Sequence, residues 1–304
     1  MLNAPIWPEL RLGYTLTTLL LALATTQATA GQTVLERIKA GGKLVIAHRE
    51  TSVPFSYFDA DKKPVGYALD LCLKLAEAIK KSAGVKDMPI EFIAVTPANR
   101  IQTIADGKAD MECGSTTNNA ERRQKVSFTV PHFITGARLL VKSASKVERI
   151  EDLEDKNLAA NKGSTPLKAV EAANRERLLR IKIIETADVA KSVEMVVKGE
   201  VEAFTTDDVL LYAQAASQPD PKSLKVVGKF LTTEPLAIML PKTDPAFKKI
   251  VDAEMRRLIY SKEIYTIYSK WFEKPIPPKN ISLNLPISYL LRDFWKYPTD
   301  EVMF

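Results

Sequence analysis

Seven side chains in this 304-residue sequence have the chemistry to grip a small charged molecule: Arg49, Arg100, Ser115, Thr117, Ser164, Thr165 and Asp207. Two guanidinium groups can hold carboxylates through paired hydrogen bonds. Hydroxyls and free N–H groups at helix starts donate to an anion, and one carboxylate can take an ammonium. Two cations and one anion together complement a zwitterion that carries an extra carboxylate, which describes an acidic amino acid. Taken singly, each residue has a plainer reading. The hydroxyls and Asp207 can serve as helix N-caps, and the arginines can be surface charges. The information lies in the set.

Other chemistries find less support. The two histidines, His48 and His132, are far apart, with no Cys or His at ligand spacing, so a zinc site is not expected. No Ser-His-Asp arrangement stands out and no glycine-rich phosphate loop occurs. Neither a cofactor nor a metal is expected. Cys72 and Cys113 are the two cysteines. They can form one bridge or remain buried thiols in apolar contexts.

The elements that must position these residues alternate short β-rich runs with amphipathic helices. Lys43–Arg49, Ile90–Val95 and Ala109–Cys113 read as strands, Tyr67–Lys81 and Asn99–Ala105 as helices. The same rhythm follows Lys142: strands at Asn157–Ala160, Ile181–Ile184 and Val201–Thr205, helices at Pro166–Leu178 and Ala190–Val197. Strand–helix–strand repetition implies parallel sheets with both faces covered. In Arg100–Thr117 and again in Ser192–Asp208, a helix stops at a glycine, a strand follows, and polar residues close the strand. Two similar α/β lobes are therefore expected, with the seven residues beyond the carboxyl ends of their strands, where open sheets bind ligands. Phe133–Lys142 and Pro235–Lys242 read as a pair of crossing strands. The helical runs Phe247–Tyr260 and Lys262–Phe272 and the Pro-rich tail from Pro275 would then return to the first lobe.

Length supports about two domains at roughly 150 residues each. A composition 46% hydrophobic and 26% charged, with 12 Gly and 18 Pro, excludes disordered, collagen-like and disulfide-framework chains. Lys plus Arg number 43 against 37 Asp plus Glu, a net charge of +6. The charges are interspersed, which fits an anionic ligand or an acidic membrane surface and selects neither. Residues 1–30 stand apart. Arg11 precedes the apolar run Leu19–Ala24, and Ala28-Thr29-Ala30 supplies small residues at alternate positions, as a cleavable signal peptide requires. The run is shorter than the ~20 apolar residues of a membrane span. No cysteine follows the cleavage site, so no lipid anchor is expected there. The remaining reading is a buried or anchoring N-terminal helix.

Several runs carry a resemblance. His48–Asp59 (HRETSVPFSYFD), Pro64–Leu71, Ala98–Asp110, Glu112–Arg122 (ECGSTTNNAER), Ala203–Asp208 and Lys270–Asn280 (KWFEKPIPPKN) resemble, in collinear order, the periplasmic glutamate/aspartate-binding proteins of amino-acid ABC transporters. The resemblance implies a two-lobed periplasmic-binding-protein fold of type II, α/β, each lobe a mostly parallel sheet flanked by helices and joined by two crossing strands. Residues 31–138 with 238–304 would form lobe 1 and residues 139–237 lobe 2. It also implies a periplasmic monomer that closes on an amino acid and docks on ABC transporter permease subunits, with no nucleic acid involved. By that match Arg100, Ser115 and Thr117 would hold the α-carboxylate, Asp207 the α-ammonium with Thr165 in support, and Arg49 the side-chain carboxylate. Pro97 and Val189 stand where the binders it resembles carry a serine and a histidine, which removes two polar partners from the expected pocket. Two other functions share this scaffold: a secreted dehydratase-like enzyme, for which Glu112 or Asp207 would be the acid, and a sensory module that presents ligand to a receptor.

Overall fold

Apolar periodicity and glycine placement organise the chain into two five-stranded sheets. The computed structural model describes residues 1–2 and 32–301, so the signal peptide expected at 1–30 falls outside the described residues apart from its first two. In the first sheet the strand order is Ile90–Ala94, Leu44–His48, Met111–Cys113, Met239–Pro241, Val126–Phe128. In the second it is Lys182–Thr186, Asn157–Asn161, Ala203–Asp207, Ala137–Lys142, Leu224–Val227. The first three strands of each sheet run parallel, the fourth runs against them, and the fifth pairs antiparallel with the fourth. The two sheets therefore repeat one arrangement.

Register does the positioning. His48 pairs with both Ala94 and Cys113, so three strands of the first sheet end level. In the second sheet Asn161 pairs with Thr186 while Ala160 pairs with Thr205. The loops that follow these ends begin at Arg49, Val95, Gly114, Lys162 and Ala187, while Ala203–Asp207 runs straight into a helix at Asp208, and these strand ends carry most of the candidate residues.

The run Phe133–Lys142 does not form one strand. It divides at Gly136 into Phe133–Thr135 and Ala137–Lys142. A side chain at position 136 would meet the Thr232 carbonyl and the Phe230 ring at 2.5 and 2.6 Å, which explains the glycine at the break. Only the first piece crosses between lobes, paired antiparallel with Glu234–Leu236. The second enters the second sheet. Likewise the run Pro235–Lys242 divides, and Met239–Pro241 joins the first sheet.

The helix Tyr67–Ala83 buries Leu69, Cys72, Leu75, Ala76 and Ile79, the stripe its periodicity predicts. It packs on the helices Pro245–Tyr260 and Glu263–Phe272, where Asp70 accepts from Lys270 Nζ at 2.6 Å and from Trp271 Nε1 at 2.7 Å. The tail beyond Pro275 returns to the first lobe: Tyr57 donates to the Pro277 carbonyl at 2.7 Å and Trp295 to the Pro131 carbonyl at 3.1 Å. No helix among the described residues is long and apolar enough to cross a membrane.

The cysteine alternatives resolve to a bridge between Cys72 and Cys113, 6.3 Å apart at Cα and 41 residues apart in sequence. It ties the helix Tyr67–Ala83 to the strand Met111–Cys113. Cross-linking a loop of that length stabilises by about 4 kcal/mol in the chain-entropy limit, and native bridges are commonly worth about 2–5 kcal/mol. We expect the Cys72→Ser/Cys113→Ser protein to lose about 2–4 kcal/mol in urea unfolding, and a loss below about 0.5 kcal/mol would contradict this.

His132 is buried against Phe55 and Tyr67, with neither ring nitrogen hydrogen-bonded. Burial lowers its pKa from 6.5 to about 3. The unfolded chain therefore binds a proton that the folded chain refuses. Stability from this residue is complete above pH 6.5 and is lost as pH falls toward 3, by on the order of 5 kcal/mol in all. In His132→Phe the acid limb of a stability–pH profile should flatten over that window, and an unaltered limb would show that other groups control it.

Candidate functional site

All seven residues singled out from the sequence line one cavity between the lobes, together with Pro97, Asn161, Pro166, Val189, Thr206 and Leu210. It is a narrow slot of about 300 Å³ between the lobes. A wider hollow lies on the second sheet beside Leu139, Arg149 and Phe230, and it gathers none of the seven.

Each wall grows from a strand end. Arg49 follows the strand Leu44–His48, and its backbone N–H donates to Ser56 Oγ at 2.8 Å. Arg100 opens the helix Arg100–Ala105 and donates from Nη1 to the Ser115 carbonyl at 3.2 Å, with Glu112 Oε1 4.0 Å away. Gly114 permits this packing, since a Cβ there would sit 2.4 Å from Glu112 Oε1 and 3.0 Å from Arg49 Cγ. On the opposite lobe, Ser164 caps the helix Thr165–Arg177 by accepting from Leu167 N at 3.2 Å. The plain capping role therefore holds for Ser164 even though it also faces the cavity. It does not hold for Ser115 or Thr117, because Asn119 caps the next helix. Nor does Asp207 cap: it occupies the N-cap position of Asp208–Ala216 without a side-chain bond to it.

The electrostatics are those of a dry site. Arg49, Arg100 and Arg122 are buried with Glu112, Asp207 and Glu234, three cations against three carboxylates. Burial and the proximity of Arg100 push the Arg49 pKa down to about 9. Burial and Arg100 likewise push Arg122 down to about 10, and burial lowers Arg100 despite Glu112, Asp207 and Glu234. Asp207 is pushed well above the usual carboxylate range by burial and by Glu234, against the pull of Arg100 and Arg122. Arg100 Nε, Glu112 Oε1 and Asp207 Oδ1 are buried without hydrogen-bond partners. Leaving such atoms unsatisfied costs about 1–3 kcal/mol each, more for charged groups. Arg100 and Asp207 thus keep unused hydrogen-bonding capacity at the cavity wall. No cluster of metal-ligating residues occurs among the described residues.

Four participants escaped sequence reasoning. Glu112, weighed only as a possible acid, lies behind Arg100 and holds Thr116 Oγ1 at 2.6 Å. Arg122 donates to the Thr117 carbonyl at 3.0 Å and, across the cleft, to the Gly163 carbonyl at 3.2 Å. Asn161 donates to Thr186 at 2.9 Å and Ser192 at 3.1 Å. Glu234 accepts from Thr117 and Thr165. Asn161 and Glu234 carry no local signal, because their partners lie 25 or more residues away in sequence, whereas Glu112 is the first residue of the ECGSTTNNAER run. Arg122 falls within the ECGSTTNNAER run, which was the available hint.

Two lobes facing across such a slot define a class, the amino-acid-binding clamps of bacterial transport, and the comparisons agree. The family of bacterial extracellular solute-binding proteins, family 3, matches residues 44–274, and the chain belongs to it. The chain is 36% identical over 283 residues to the glutamate/aspartate import solute-binding protein of Escherichia coli, covering 93% of this chain and 94% of that one. It is 38% identical over 268 residues to the L-glutamate/L-aspartate-binding protein of Pseudomonas aeruginosa, covering 88% and 89%. Among solved structures, the cysteine-binding protein of Campylobacter jejuni superposes with a TM-score of 0.69 at 22% identity, over 82% of this chain and 98% of that one. That likeness concerns the fold.

Gly163 marks how tightly the lobes meet. It has φ of +76°, and a Cβ would lie 2.8 Å from the Pro97 carbonyl and 2.9 Å from Ala98 Cα on the facing lobe. Gly107 shares the positive φ, at +68°, with nothing within 4 Å. Both Gly→Ala variants carry the ~1 kcal/mol backbone cost, so only Gly163→Ala should also enlarge the radius of gyration in small-angle scattering. Equal radii for the two variants would contradict a tight meeting at this point.

Proposed function

We propose that this protein is the periplasmic binding component of an ABC importer for an acidic amino acid, glutamate or aspartate, which it delivers to membrane permease subunits. The observation that carries the reading is the pair Arg49 and Arg100 opposite Asp207 in one slot, with Arg100 Nε and Asp207 Oδ1 both buried and unpartnered. Similarity to relatives named for glutamate and aspartate supports it.

In this reading Arg100 and Ser115 take the α-carboxylate, and Thr117, whose hydroxyl proton goes to Glu234, offers its backbone N–H. Asp207 takes the ammonium, which supplies the cation its buried carboxylate lacks and brings its pKa back down. Thr165 supports from the second lobe, Ser164 starts the helix that faces the ligand, and Arg49 takes the side-chain carboxylate. The ligand's carboxylates in turn raise the depressed pKa of Arg49. Pro97, Val189 and Leu210 give the slot apolar walls that discriminate by shape. Lobe 1 comprises residues 31–138 with 238–304 and lobe 2 residues 139–237, with residues 1–30 removed on export.

Titration calorimetry of the exported form with glutamate and aspartate tests the reading. Removing one partner of a buried charge pair costs about 3–5 kcal/mol, so Arg100→Ala and Asp207→Ala should each weaken binding roughly a thousandfold. Ligand at about 100 times its Kd should also stabilise the wild-type protein by ~2.7 kcal/mol in thermal unfolding. Unchanged affinity in both variants would overturn the assignment.

A further inference from the structure

Glu234 is the first residue of a crossing strand, Glu234–Leu236, and is 1% exposed. Its Oε2 accepts hydrogen bonds from Thr117 Oγ1 and, at 2.7 Å, from Thr165 Oγ1. The two hydroxyl oxygens are themselves 3.1 Å apart. Thr117 bridges to Leu236 beside the first sheet, whereas Thr165 begins the helix Thr165–Arg177 that packs on the second. One carboxylate oxygen on a hinge strand thus collects a hydroxyl from each side of the cleft. A carboxylate has no proton to give, so both hydroxyls donate to it. Hydrogen bonds of this kind are short and roughly twice as strong as those between neutral groups, and burial strengthens them further. They also have a short reach. Separating the lobes by a few ångströms takes at least one hydroxyl beyond the ~3.5 Å within which such a bond exists. Arg122 works in parallel, holding the Thr117 and Gly163 carbonyls from the same side.

We infer that Glu234 is a positioning residue that latches the two lobes shut from the hinge, through Thr117 and Thr165, before any ligand bridges them. This goes beyond the binding reading, because the latch acts within the protein alone. Its consequence for binding follows from population shift. A clamp that is partly closed beforehand loses less of its intrinsic affinity to the closing equilibrium, and a bound ligand leaves more slowly because release requires the latch to open.

The lobe separation can be measured directly. Spin labels at Lys125→Cys and Arg175→Cys, exposed positions on opposite sides of the cleft, report it by pulsed electron resonance without ligand. The native cysteines are bridged and will not take label. The long-distance population should rise about tenfold in Glu234→Ala and in Thr165→Val, as expected for losing one charge-assisted bond. Glu234→Gln, which keeps one acceptor oxygen, should lie between. With glutamate as probe, dissociation should quicken about tenfold in Glu234→Ala, while association changes less than about threefold. If Glu234→Ala fails to fold, Thr165→Val carries the test. An unchanged distance distribution in these variants, even with lowered thermal stability, would overturn the latch. So would a wild-type protein that is wholly open without ligand. The distances need no ligand, so the latch can fail while Asp207→Ala still abolishes binding, and the reverse.

Discussion

Guanidinium groups taken out of water need negative charge nearby, and this requirement organises the centre of the molecule. Arg49, Arg100 and Arg122 are all buried, at a desolvation cost of several kcal/mol per ion unless they are paired. Glu112, Glu234 and Asp207 balance them in number without meeting them ion for ion. Arg100 spends its modest contacts on the Ser115 carbonyl and a 4.0 Å approach to Glu112, and Asp207 keeps one oxygen unpartnered. Three cations and three carboxyl groups thus set up a field around the slot. Such a field is complementary to a molecule with its own separated charges.

The scaffold exists to hold that field still. Level strand ends in both sheets bring the loops to one plane. The Cys72–Cys113 bridge anchors the strand next to Gly114, and Asn119 and Ser164 cap the helices that flank the slot. Glycines at 114 and 163 let charged side chains and facing backbones approach more closely than any Cβ would allow. The bridge is worth a few kcal/mol and each cap about 1 kcal/mol, and all of them hold the loops that carry the charged side chains.

The hinge then acquires a chemical role beside its mechanical one. Its strand places Glu234 where the two lobes touch, so a residue that joins the lobes covalently through the backbone also joins them through hydroxyls. Closing and binding are thus coupled through one short stretch of chain, Glu234–Leu236, which pairs with Phe133–Thr135 as well.

Much of this was legible in the sequence. Alternating strands and amphipathic helices announced two α/β lobes, and the polar residues after each strand marked the slot, because strand direction alone decides which end of a parallel sheet binds. All seven chosen residues line it. Tertiary structure decided what depends on distance between remote segments: the cysteine bridge, the division of two apolar runs at the lobe junction, the reach of Arg122 to Gly163, and the place of Glu234 between Thr117 and Thr165, 117 and 69 residues away. Periodicity and turn chemistry are local properties of a chain, whereas the pairing of buried charges is settled only when the chain has closed around them.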